Sequence, residues 1–295
     1  FGFGGTNSHV VIKNGNTKEH NIETNHIEWN RKSFPWIVNT QHILLGSNGK
    51  ISFDDNNNMK WLKDHVVKGD ILFPGAGHVE LLLSETHSDI IDNVQFLRPI
   101  SLIETGNDFK VEKHEDVVCI VSGVNEYSKA SIGNSKTTNI NYSKTFTESI
   151  DIKEFYCQLK SSGLEYGSYF QTVSKLSINP EQQEFECTVE SKLDETITSG
   201  MKIDPTILDG CFQASSAFFF KGTSKKTYVP SRIGKIQVFE PVLETVTCKG
   251  KILETSNRSI VLNLTIYKGN TIIANVERFE SSLYVERKNN LFYDE

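Results

Sequence analysis

The chain has 295 residues, 37% of them hydrophobic and 23% charged, a balance that excludes wholesale disorder and suits one large or two smaller cores. Its formal net charge of −6 and the absence of any basic block give no footprint for a polyanionic partner. No stretch is long and apolar enough for a membrane helix, and no charged-then-apolar leader opens the chain, so a cytoplasmic setting is expected.

Residues 1–12, "FGFGGTNSHVVI", read as a glycine-rich turn entering a strand, as if cut from something longer. The pattern is not a dinucleotide fingerprint, because Asn7 stands where the last glycine belongs and no βαβ unit follows. Residues 13–34 are polar, rich in Asn and without apolar periodicity, which predicts a linker.

From there, short strands are expected at 43–45, 70–73, 94–97, 109–113 and 117–121, around one helix that begins after Pro74. Val79, Leu81, Leu82 and Leu83 make that helix a buried one. Residues 122–150 are rich in Ser, Thr and Asn and read as a bridge holding a strand or two.

A second unit opens at Asp151, where Asp151 and Glu154 form a capping-box-like start and Gly163 can end the helix in a left-handed conformation. Strands at 169–176 and 184–190 precede "DPTILDGCFQASSAFFF" (204–220), whose Asp204 and Pro205 suit the cap and first position of a second buried helix. Strands at 228–229, 236–239, 245–251, 259–267 and 271–278 complete an antiparallel sheet. The plan therefore occurs twice, a sheet wrapped on one apolar helix, which is an α+β architecture.

Several residues are chemically suggestive. His65 lies in H-x-x-x-G-x-x-x-x-P with Gly69 and Pro74, either a base or a polar residue at a strand–turn–helix junction. Its neighbour His78 reads as a surface or structural residue. Asp209 and Gln213 share a helix face at i and i+4. On so apolar a helix Asp209 is either a buried acid, kept protonated because low dielectric disfavours its charge, or the one polar stripe facing solvent. Tyr166, beside Gly167, can reach a substrate or pack on a sheet. Lys221, Lys225, Lys226, Arg232 and Lys235 cluster without an acid, as a docking patch or a solvated loop. The five cysteines are widely spaced, with no metal-ligand spacing, and read as reduced and mostly buried thiols.

"HVVKGDILFP" (65–74), "GLEYGSYFQ" (163–171), "DPTILDGCFQ" (204–213) and "YVPSRIGKI" (228–236), with "SFPW" (33–36) ahead of them, together resemble the dehydratase domain of polyketide synthases and animal-type fatty acid synthases over residues 35–288. "GFGGTNSHVVI" (2–12) resembles the C-terminal end of a β-ketoacyl synthase, in which the histidine matching His9 is catalytic. In this chain His9 is expected to be a remnant.

The usual order places an acyltransferase domain between the two. Only the polar segment stands there, which implies an acyltransferase supplied from elsewhere or a rearranged or truncated parent.

The resemblance implies a double hot-dog fold, with hot-dogs at 35–137 and 151–288 joined by a linker at 138–150. It implies elimination of water from a β-hydroxyacyl thioester, with no cofactor beyond the phosphopantetheine of the acyl carrier protein that bears the substrate. His65 would be the base and Asp209 the acid, with Gln213 orienting the acid and Tyr166 bonding the substrate. A backbone N–H near Gly75, at a helix start, would polarise the thioester carbonyl.

Lys225, Lys226 and Arg232 would receive the carrier protein, and the domain would dimerise. Rival expectations are a product-template-like cyclase of the same fold and a non-catalytic module of a rearranged synthase.

Overall fold

The computed structural model describes residues 42–284 apart from 47, 54–56, 104–107, 136, 139, 144 and 219–225. The expectations for residues 1–12 with His9, the 13–34 linker, and Lys221 and Lys225 fall outside these.

In the first half, a 3₁₀ helix (Asn57–Asp64) runs into β1 (His65–Val67) and β2 (Asp70–Ile71). The two strands are joined by a tight turn with Lys68 at φ 55 and Gly69 at φ 88, a pair of left-handed residues that favours glycine. A Cβ at Gly69 would meet nothing, so the turn alone accounts for this glycine.

Pro74 caps α1 (Gly75–Thr86), its fixed φ of −67 suiting the last extended residue before a helix. Then follow β3 (Ile90–Phe96), β4 (Lys110–His114), β5 (Val117–Ser122) and β6 (Asn125–Ile132).

The second half holds β7 (Glu148–Ser149), α2 (Ile152–Ser161), β8 (Leu164–Tyr166), β9 (Val173–Asn179), β10 (Glu184–Val189), α3 (Glu195–Thr198), α4 (Pro205–Ala214), β11 (Tyr228–Val238), β12 (Val246–Thr255), β13 (Ser259–Lys268) and β14 (Thr271–Leu283). The caps are as expected: Asp151 accepts from the Glu154 amide at 2.8 Å, and Asp204 from that of Thr206 at 2.7 Å. Gly163, at φ 91, follows α2.

Each half wraps sheet around an apolar helix, α1 against β3 to β6 and α4 against β9 and β10, and the two helices touch. This is the double hot-dog. The two sheets are not separate, however. β3 pairs with β11, from Ile90↔Gln237 to Gln95↔Arg232, giving one antiparallel sheet of eleven strands in the order β4-β5-β6-β3-β11-β14-β13-β12-β10-β9-β7.

Several local expectations change. The segment 122–150 does hold strands, β6 and β7. Residues 43–45 form only an isolated bridge, Leu45↔Ile51. β9 begins at Val173 because residues 167–171 are held in a turn, with the Phe170 and Gln171 amides bonded to the Gly167 carbonyl. The two pieces expected at 228–229 and 236–239 are one strand, β11. Its Pro230 is accommodated by a register shift against β14, where a missing N–H costs no ladder bond.

α4 is buried on every side. Gly210 permits that, since a Cβ there would stand 2.8 Å from the Val189 side chain of β10.

Candidate active site

A second, three-stranded sheet runs β2-β1-β8 and joins the halves, with His65 opposite Tyr166. It sets His65 against α4 from the other half. His65 and Asp209 are both buried, and Nε2 of His65 stands 3.8 Å from Oδ1 of Asp209. That separation is too long for a hydrogen bond. Both residues line a cavity of about 660 Å³, whose wall also includes Gly75, His78, Tyr166 and Tyr228.

Each catalytic candidate is held from behind. His65 Nδ1 lies 2.8 Å from the Leu72 carbonyl, which only accepts, so Nδ1 donates and Nε2 of the neutral ring carries a lone pair. The ring packs on Tyr166 at 5.6 Å and Phe170 at 5.1 Å between centroids.

Asp209 Oδ2 accepts from Gln213 Nε2 at 2.7 Å, and the same amide donates to the Phe170 carbonyl at 3.0 Å. Oδ1 is left toward His65. Burial raises the Asp209 pKa, opposed by the nearby His65 and by the Gln213 bond, and the net shift is upward. Of the two sequence alternatives for Asp209, the buried acid is the one realised.

Gln213 therefore does contact the carboxyl as expected, and Tyr166 is half-buried beside the His65 ring. Gly75 opens α1 onto the cavity. Gly69 and Pro74 shape the turn and the helix start and do not line the cavity.

His78 is a correction. It is not on the surface, because it is 3% exposed, and besides its bond to the buried Ser128 it is among the residues that line the cavity. A helix with apolar residues on nearly all sides gives no signal of which polar residue faces a ligand.

Tyr156 is a further residue of the site that the sequence does not mark. From α2 its hydroxyl donates to Gln213 Oε1 at 3.2 Å and accepts from the Val173 amide at 2.9 Å. Nothing local in "DIKEFYCQLK" marks it.

Of the basic cluster, Lys226 and Arg232 are exposed, whereas Lys235 pairs with Asp92 at 3.5 Å. All five cysteines are free, four buried and Cys157 exposed. Among the described residues no helix is long and apolar enough to cross a membrane.

Two family models match the chain: "Polyketide synthase dehydratase N-terminal domain" over residues 138–289 and "Polyketide synthase dehydratase domain" over residues 49–116. A highly reducing polyketide synthase, pspA of Penicillium soppii, is 21% identical over 80% of this chain and 11% of its own length. The chain thus spans about a tenth of that relative.

Among solved structures, the dehydratase domain of a mycocerosic acid synthase-like polyketide synthase has a TM-score of 0.67 at 13% identity, covering 79% of this chain and 89% of its own. An inactive Asp-to-Asn mutant of the CurK dehydratase has a TM-score of 0.65 at 19% identity, covering 83% of this chain and 100% of its own. A His-to-Phe mutant of CurK is likewise described as inactive.

Proposed function

Because the chain belongs to the polyketide synthase dehydratase family, we propose that it eliminates water from a β-hydroxyacyl thioester, as a hydro-lyase acting on an acyl chain borne by the phosphopantetheine of an acyl carrier protein. One observation carries the reading: a cavity-facing imidazole nitrogen stands 3.8 Å from a buried carboxyl whose pKa is raised.

The chemistry needs two groups in opposite protonation states. The α-proton is weakly acidic and hydroxide leaves poorly, so a neutral base and a protonated acid must flank the same pair of carbons. His65 Nε2 takes the α-proton. The electrons of that C–H bond form the α,β double bond as the β-carbon–oxygen bond breaks, and Asp209 Oδ1 delivers its proton to the departing oxygen, releasing water. His65 ends protonated and Asp209 ionised, and a proton passing back from one to the other restores both.

The same Leu72 carbonyl that holds His65 also supports it as Nδ1 becomes more positive. Gln213 fixes Oδ2 so that Oδ1 carries the proton. Tyr166 is assigned a hydrogen bond to the substrate, and the Gly75 end of α1 the thioester carbonyl, where a helix N-terminus favours developing negative charge.

Further support comes from CurK, whose Asp-to-Asn and His-to-Phe mutants are described as inactive. The partners in this reading are the carrier protein, docking at Lys225, Lys226 and Arg232, other synthase domains, and a second copy of the domain. The chain divides into hot-dogs at 35–137 and 151–288.

The test is to incubate the purified domain with a β-hydroxyacyl thioester and follow loss of water by mass spectrometry. Enoyl product is expected from the parent, and a loss of roughly 10²–10⁴-fold in His65→Ala and in Asp209→Asn. Parent-like turnover in either folded variant would sink the mechanism.

A further inference from the structure

The dehydratase reading uses one imidazole of the cavity and leaves the other without a task. His78 lies in the first turn of α1, with its Nδ1 3.0 Å from the hydroxyl of Ser128, a fully buried residue of β6. The ring is held beside Phe73, at 5.2 Å between centroids, and Phe96, at 6.0 Å. His65 has different ring neighbours, Tyr166 and Phe170, although the two imidazoles are near enough for His65 to bear on the His78 pKa.

Among the described residues, Nε2 of His78 meets no donor or acceptor. The buried side-chain polar atoms that lack a hydrogen-bond partner among the described residues belong to Trp61, Asp92 and Asn275, and none to His78. Nε2 is the ring nitrogen not engaged by Ser128, on a residue that lines the cavity.

Burial, and secondarily the proximity of His65, push the His78 pKa down to about 3, which keeps the ring neutral. A neutral imidazole has one N–H and one lone pair, so whichever way the Ser128 hydroxyl points, Nε2 offers one hydrogen bond and no charge. It does so from beside the apolar rings of Phe73 and Phe96.

A hydrocarbon chain laid against that nitrogen would strip its water and return nothing. A hydroxyl, which both donates and accepts, would satisfy it in either tautomer. We propose that His78 is a specificity-determining residue, which hydrogen-bonds a hydroxyl carried by the acyl chain beyond its β-carbon, so that the site prefers hydroxylated chains to hydrocarbon ones.

This inference rests on the dehydratase reading and names the substrate class for it. The reacting carbons are served by His65 and Asp209, and a neutral His78 adds no charge to disturb that pair.

The experiment compares kcat/KM for two β-hydroxyacyl thioesters of equal length, one otherwise saturated and one with an extra hydroxyl further along. The proteins are the parent, His78→Gln, and His78→Phe combined with Ser128→Ala, which leaves no orphaned hydroxyl.

The parent should prefer the hydroxylated chain. The double variant should keep turnover of the saturated chain while that preference falls on the order of ten- to a hundredfold, and His78→Gln should retain part of it.

A parent without the preference, or a double variant that loses both substrates equally, overturns the proposal. A parent inert toward both overturns the dehydratase reading and this inference with it. The parent's own preference needs no variant, so the test stands even where a variant fails to fold.

Discussion

The Nδ1 atom of His65 lies 2.8 Å from the carbonyl oxygen of Leu72, and that bond decides which nitrogen faces Asp209. Because a carbonyl cannot donate, the neutral ring must be the Nδ1–H tautomer. Nitrogen-15 NMR of the domain should show this tautomer for His65 in its neutral form. An Nε2–H signature would remove the lone pair from the reacting side and, with it, the assignment of His65 as base.

Asp209 links activity to stability. Its pKa is raised in the folded protein, so the fold binds the proton more tightly than the unfolded chain does. The stability that this proton contributes is fully present below the ordinary carboxylate pKa and is lost as pH rises through the elevated one. Two outcomes are expected.

The alkaline limb of the rate profile should follow ionisation of Asp209. Asp209→Asn, which still accepts from Gln213, should show its large loss of activity and yet be more stable at neutral pH, by about 2–4 °C in Tm for each kcal/mol relieved. Thermal melts across pH check this, and an Asn variant less stable than the parent at neutral pH counts against a buried, strained acid.

Tyr156 acts at one remove from the chemistry. Its hydroxyl orients Gln213 while accepting from the Val173 amide, so Tyr156→Phe leaves that amide unbonded and Gln213 free to turn. The expected loss is about 1–3 kcal/mol of stability, from the orphaned donor. It should be accompanied by a drop in kcat of about tenfold with KM little changed, since the residue touches no substrate. Steady-state kinetics beside denaturant titration separate the two effects, and an unchanged kcat excludes the positioning role.

Glu80 shows how the halves are clasped. It is fully buried on α1, yet its oxygens accept from the amides of Lys202 at 3.1 Å and Ile203 at 2.7 Å, just ahead of the cap of α4, and from Ser84 at 2.6 Å. Glu80→Ala would orphan two backbone donors, at a cost of roughly 3 kcal/mol or more. A shift of the urea midpoint is the readout. A variant as stable as the parent would mean that water replaces the carboxylate.

Much of this was legible because it is local. Asp151, Asp204 and Pro205 announce their helices through a side chain and an amide a few positions apart, and Asp209 with Gln213 is a one-turn relation on one helix.

The rest depends on pairs far apart in sequence. The joining of β3 to β11 leaves no trace in either strand, since alternation marks which face is buried and not which edge is paired. β1 and β8 have three residues each, too few for a periodic signal, although they carry His65 and Tyr166. His78 and Tyr156 needed tertiary contacts to Ser128 and Gln213 before either meant anything. The pairing of His65 with Asp209 was reached through resemblance, not spacing.

Docking of the carrier protein gives the last test. Residues 228–231 of β11 line the cavity, and the exposed Lys226 and Arg232 flank them. Lys226 lies 3.5 Å from the Asn257 carbonyl and Arg232 3.2 Å from Asn93 Oδ1, contacts with neutral groups that leave both cations uncompensated by these partners. Exposed charges steer encounter more than they hold a complex, and salt screens them over a Debye length of about 8 Å at physiological strength. Replacing Lys225, Lys226 and Arg232 by Glu should therefore raise KM for a carrier-bound substrate by about tenfold or more at low salt, with the gap narrowing as salt is added. Turnover of a small pantetheine thioester should be unaffected, because it needs the cavity and not the rim. Equal losses on both substrates would mean that the reversals act on the cavity or the fold, and would rule out this surface as the dock.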